Sequence, residues 1–312
     1  MREPKDIILK GNTLNEILAE HKNWLRTNKR GKRSNVSADN LYLYVPLGFM
    51  IIGTYLRGPD LSEIDLSCAN LRNADLRESN LRGSNLSKAN LSKAELSSVD
   101  LSEANLSEAD LSQAVLIGSN LSSADLTRAK LRKSNLHGCH LLWANFTKAD
   151  LSEANLNEVD LSGAKLTMAN LNGTHFEGAD LSQTDLSEAN LSRAVLAGAN
   201  LSQTNLSNVN LSNANLRGTD LRQAVLHEVD LSRADLFRSK LSQADLSHAI
   251  LAGCNFNCVD LSEANLSRAV LAGANLKKAN LIAVNLSKAD LSEADLSEAD
   301  LSGAILSEAD LR

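Results

Sequence analysis

The chain has 312 residues, a formal net charge of −6 and an aromatic content of only 3%. Ordinary cores of this size lean on Phe, Tyr and Trp for buried area; here the apolar 43% is mostly Leu and Ala, so the core must be built of small, uniform pieces. Residues 1–35 hold nine Lys/Arg and four Asp/Glu, and the remainder carries 23 basic and 34 acidic residues, a balance that excludes a nucleic-acid-wrapping stripe.

The basic segment 1–35 comes first in the chain. Within it Thr13-Leu14-Asn15-Glu16 reads as a capping box, with Thr13 at the N-cap and Glu16 three residues later. Leu14, Ile17, Leu18, His21, Trp24 and Leu25 share one helical face. The spacing predicts a helix over 13–27 that lays Trp24 and Leu25 on the first coil of whatever follows. Met-Arg-Glu-Pro-Lys-Asp lacks the apolar run of a secretory signal, and four scattered cysteines make no disulfide framework, so the expected location is the cytoplasm.

From Leu56 to Leu311 every fifth residue is Leu, except Phe146, Phe176 and Phe256, giving 52 positions in unbroken phase. We call this position the centre. Two residues before it stands Ala or another small residue, and one before it usually Asp or Asn, as in Ala104-Asn105-Leu106-Ser107-Glu108. A period of five fits neither a helix nor a simple strand. It fits a chain that turns a corner every five residues, with the centre and the small residue pointing inward. All 14 glycines from Gly48 onward lie two residues after a centre, which marks a turn position open to positive φ. Four corners close a coil of 20 residues, and successive coils stack at about the 4.8 Å strand spacing.

The motif Ala-(Asp/Asn)-Leu-x-x, in phase over residues 56–312, resembles the pentapeptide-repeat family. That resemblance implies an all-β, right-handed quadrilateral β-helix, with a capping helix and often a homodimeric state. The register extends back through Val36, Leu41, Pro46 and Ile51, so the repeat domain is expected to occupy 36–312 in about 14 coils. Residues 39–56 keep the phase but change the chemistry, with Tyr44 and Phe49 in small-residue slots and Pro46 at a centre. The uncharged run 41–56 is 16 residues, short of the roughly 20 a spanning helix needs. An apolar collar is favoured there over a membrane contact.

A search for chemistry finds none, and no cofactor is expected. His227, Glu228 and His248 adjoin on one exterior face, but without a pocket or supporting shell for a metal. Cys254 takes an inward slot whereas Cys258 sits at a corner, so the two diverge. No phosphate loop or nucleophile set appears, and an enzyme is not expected. The informative positions are exterior departures from Asp, Asn and Ser. Leu142 and Trp143 point outward near His137 and His140, and Arg132 and Lys133 lie in the same stretch of sequence. Together they mark a candidate footprint for a protein partner. Val115 with Ile117, and Val270, read as isolated.

The expected function is therefore a rigid scaffold that binds a protein. The alternatives are an acidic DNA mimic that binds a topoisomerase or other DNA-binding protein, as in one branch of the family, and a membrane-associated structural rod. Length, phase and the Trp-containing cap are similar to cyanobacterial members, some of which regulate cell differentiation through protein contacts. The last coil is expected to pair end to end with a second copy through Leu301, Leu306 and Leu311, an open apolar edge being a pairing template.

Overall fold

The computed structural model describes residues 57–58 and 60–312, together with two short strands near the N-terminus. Those strands, β1 (Ile8–Leu9) and β2 (Asn12–Thr13), pair antiparallel with Thr13 opposite Ile8. Thr13 is thus in extended backbone, the conformation an N-cap also adopts. Glu16, Trp24 and Leu25, the expected helix over 13–27 and the apolar segment 39–56 lie outside the described residues.

The rest is one continuous β-helix. Each residue before a centre forms a parallel bridge with the residue 20 positions on, from Asp60 with Asn80 to Asp290 with Asp310. Four columns of such bridges make the four sides of the rod. Between them, the two residues after each centre form a corner closed by a turn, for example Ala104 N–H to Leu101 O at 3.1 Å. We name the corners A to D in chain order, corner A being the column that runs through Ser122, Ser123, Leu142 and Trp143.

The repeat at 101–105 shows why the sequence takes this form, because all five of its N–H groups are used. Leu101 and Glu103 donate forward to Asn120 O and Ser122 O at 2.7 and 3.0 Å, and Asn105 donates back to Ser84 O at 2.9 Å. Ala104 closes the turn. Ser102 N–H, which has no backbone partner, donates to Asp100 Oδ1 at 3.0 Å. The same bond recurs along the rod where Asp or Asn precedes a centre, from Ser62 on Asp60 to Arg312 on Asp310. The Asp/Asn preference is therefore a backbone requirement, an Asx cap on the corner. Many of these side chains also form rungs between coils, as Asn200 Nδ2 does with Asp180 Oδ1 at 3.1 Å.

The inside–outside register is as the periodicity predicts. Centres Leu71 to Leu291 are at most 2% exposed, and Phe146, Phe176 and Phe256 fill the same axis completely buried. The small residues are buried beside them, and where one is Ser, Thr or Cys its donor commonly finds a centre carbonyl, as Thr174 Oγ1 finds Leu151 O at 2.9 Å. The last coil is open, with Leu306 36% and Leu311 56% exposed.

The second corner residue takes left-handed φ at all 51 positions from Gly58 to Glu308, and 39 of them carry a side chain. Glycine is tolerated there but not demanded. An L-residue in this region costs about 1–2 kcal/mol, so the closed hydrogen-bond net must hold each corner in place.

Candidate partner-binding surfaces

Because Asp and Asn beside the centres serve the backbone, the surface free for recognition is what remains. At the corners much of that charge is also committed. Arg82 pairs with Glu103 at 2.7 Å, Lys278 with Glu298 at 3.5 Å and Lys288 with Glu308 at 3.5 Å, each bridging one coil to the next.

Trp143 is the outstanding exception. It occupies corner A and is 69% exposed. Its indole lies flat against the next coil at Gly163, where an added Cβ would stand 2.6 Å from Trp143 Cζ3. The missing side chain at Gly163 is thus what seats the ring. Leu142 is half-buried at the same corner, His140 is exposed on the side between corners D and A, and His137 is at corner D. Ile117, 40% exposed, stands one coil before His137 in the same column. The 20-residue spacing that joins them is visible in the sequence once columns rather than neighbours are read.

Arg132 and Lys133 do not join this surface. They hold corner C, diagonally opposite corner A, and both reach Glu153, at 2.7 and 3.2 Å. Sequence proximity suggests a place beside Trp143, but two sides of the rod, with corner D between them, separate them from it. The footprint contracts to Ile117, His137, His140, Leu142 and Trp143 on one side of the rod.

The histidine group at corner B is a surface contact. His227 Nδ1 lies 3.0 Å from Ser247 Oγ, and the His227 and His248 rings meet edge to face at 5.4 Å. Among the described residues no set of His, Cys, Asp and Glu is gathered as a metal site requires. Cys139 and Cys254 are buried and donate to Leu116 O and Leu231 O, and burial pushes each thiol up to about 12. Cys68 and Cys258 sit at corners with outward side chains.

Two further features escaped the sequence reading. At corner A a ladder of amides runs Gln183, Gln203, Gln223, Gln243 and ends on Glu263, its last bond 2.9 Å. Its single direction, each amide donating to the next coil, follows from identical residues at a 20-residue spacing. At corner D, Phe237 lies between Arg217 and Arg238, whose guanidinium carbons are 4.4 and 5.0 Å from the ring centre. Val270 is not isolated either, since it bridges directly to Ile250 one coil earlier.

Comparison with known proteins places the repeat. A model of pentapeptide repeats matches in eight copies, over residues 52–87, 64–103, 174–213, 204–243, 239–277 and 274–312, and a second, pentapeptide repeat region, matches 92–166. Neither describes an enzyme. Among solved structures, HetL of the cyanobacterium Nostoc sp. strain PCC 7120, a pentapeptide repeat protein involved in heterocyst differentiation regulation, is 33% identical, covering 81% of this chain and 92% of its own, with a TM-score of 0.27. A trypsin-treated form of QnrB1, a plasmid-mediated fluoroquinolone resistance protein, is 21% identical over 61% of this chain and 90% of its own, with a TM-score of 0.35. A pentapeptide repeat protein of the Arabidopsis thaliana thylakoid lumen is 32% identical over 36% of this chain and 68% of its own, with a TM-score of 0.20. No curated protein matches. The repeat models, joined to a coil of four five-residue sides, carry the assignment: this chain belongs to the pentapeptide-repeat family and is a right-handed quadrilateral β-helix.

Proposed function

We propose that the chain is a non-enzymatic, rigid scaffold in the cytoplasm that recognises a protein partner through its outer sides. Trp143 carries this reading. A large aromatic ring, seated over Gly163 with most of its surface open to solvent, has the character of an interface anchor. Ile117, Leu142 and the two histidines supply an apolar and hydrogen-bonding surround on the same side. Mimicry of DNA is the weaker reading: the Asp columns are turned back onto their own corners, and cations interleave with the corner glutamates.

The test is capture of a partner by the whole chain from extracts of its source, with Trp143→Ala and Arg132→Ala as paired variants. Trp143→Ala should lose the partner with its thermal midpoint unchanged, and Arg132→Ala, on the far corner, should retain it. A partner held equally by Trp143→Ala removes this surface from the account.

A further inference from the structure

The side of the rod between corners B and C breaks the repeat's rule twice in succession. Ile250 and Val270 stand where Asp or Asn caps the corner, bridge to one another, and are 46% and 38% exposed. Without a cap, the N–H groups of Ala252 and Ala272 donate to nothing among the described residues. The next residues, Gly253 and Gly273, add no side chain, so each corner carries only the methyl of Ala252 or Ala272. Glu95 and Val115 also stand in succession where caps belong, but there one residue is charged and Ser97, Ser98 and Ile117 cover the corner; no other exterior aliphatics pair with one another among the described residues. Val225, for instance, has Asn205 and Asp245 as its bridging neighbours.

The two free donors point to an acceptor from outside. In capped repeats the Asp or Asn oxygen reaches this N–H from the outer surface, as at Ser232 on Asp230, 2.9 Å. An external oxygen can take the same approach where the cap is missing. The donors sit one coil apart, about 4.8 Å, close enough for the two oxygens of one carboxylate to take one each. Hydrogen bonds to an ionised acceptor are roughly twice as strong as neutral ones. Cations border the place. Arg233 leans over Gly253, its Cγ 3.8 Å from where a Cβ would stand, and Arg268 occupies the corner before Val270. Neither forms an ion pair among the described residues. Of the acids in the adjoining coils, Asp230 and Asp290 are engaged by Ser232 and Ser292 N–H at 2.9 Å each, and Glu293 stands at the same corner one coil beyond Gly273. Beside the donors, Ile250 and Val270 offer an apolar strip.

We propose that this two-coil surface docks a segment of a partner protein presenting a carboxylate next to an aliphatic side chain, the carboxylate replacing in trans the caps that Ile250 and Val270 omit. The inference rests on the reading of the chain as a protein-binding scaffold and gives that reading a second surface. It lies about five coils from Trp143, on the opposite side of the rod.

The experiment pans a phage-displayed library of linear peptides on the full chain. The best peptide is then synthesised and titrated against Ile250→Asn/Val270→Asn, Arg268→Gln and Trp143→Ala. The double variant restores the repeat's own caps, so it folds as the neighbouring repeats do, which circular dichroism and a thermal midpoint no lower than wild type confirm. The selected peptides should be enriched in Asp or Glu beside Leu, Ile or Val. Binding should fall at least tenfold on the double variant, severalfold on Arg268→Gln, and not at all on Trp143→Ala. Selection of no peptide, enrichment without acids, or equal affinity for the double variant overturns the proposal. Peptides lost only on Trp143→Ala overturn it too, while leaving the scaffold reading intact.

Discussion

Asn200→Ala tests whether the Asp/Asn column holds the coil together. Asn200 Oδ1 accepts from Ser202 N–H at 3.1 Å and Ser202 Oγ at 2.8 Å, and its Nδ2 donates to Asp180 Oδ1 at 3.1 Å. Alanine removes all three. Loss of a side-chain cap on a backbone N–H costs typically about 1 kcal/mol. The rung to Asp180 adds about 0.5–1 kcal/mol, at the low end because water can replace it on a half-exposed surface. The sum is about 1.5–2 kcal/mol. Asn200→Asp keeps the acceptor but sets a carboxylate against Asp180, so it should fall between wild type and Ala. Urea titration followed by circular dichroism reads the order directly. An unchanged midpoint for Asn200→Ala would show that the column is surface decoration and would undo the claim that its charge belongs to the fold.

Ala169 is 1% exposed in an inner slot, so Ala169→Leu should destabilise by about 1–3 kcal/mol through overpacking, whereas Ser182→Leu, on the outside, should cost little; equal effects would overturn the register. A thiol reagent at pH 8 should label Cys68 and Cys258 in the native chain and spare Cys139 and Cys254, whose thiols burial raises to about 12; labelling of all four without denaturant would contradict that. Acid should destabilise the rod. Hydrogen bonds from Arg77 and Arg222 hold Asp75 and Asp220 below the usual carboxylate range, and those from Arg312 bring Asp310 to about 2. Such groups contribute stability that is complete above the unfolded value of about 3.9 and is lost as pH falls through the folded values. The urea midpoint should therefore be flat from about pH 8 to 5 and drop below about pH 4; a decline beginning above about pH 5 would assign the loss to other groups.

The four-cornered coil was legible because one residue in five must fill the axis, as the 52-fold register of Leu and Phe does, whereas its right-handedness came from the family resemblance and not from the period. What the register hid was the role of the polar columns. Asp and Asn look like surface charge in sequence, yet their oxygens complete the backbone net, as Asp100 does for Ser102. Glycine told only part of the corner's story, since residues such as Ala283 and Trp143 adopt the same left-handed φ, 54° and 58°. The surface was harder to read than the core. Neighbours on the rod are 20 apart in sequence, so Ile250 and Val270 look unrelated, while Arg132 and Trp143 look adjacent and are not.

Recognition should reside where the exterior departs from the repeat, above all around Trp143. A photo-crosslinking residue placed at position 123, one coil before an intact Trp143 at the same corner, should capture one partner from extracts of the source, with the same residue at position 182, a regular exterior site, capturing none. Equal capture of that protein from both positions would mean that the regular repeat surface, rather than its departures, carries the recognition.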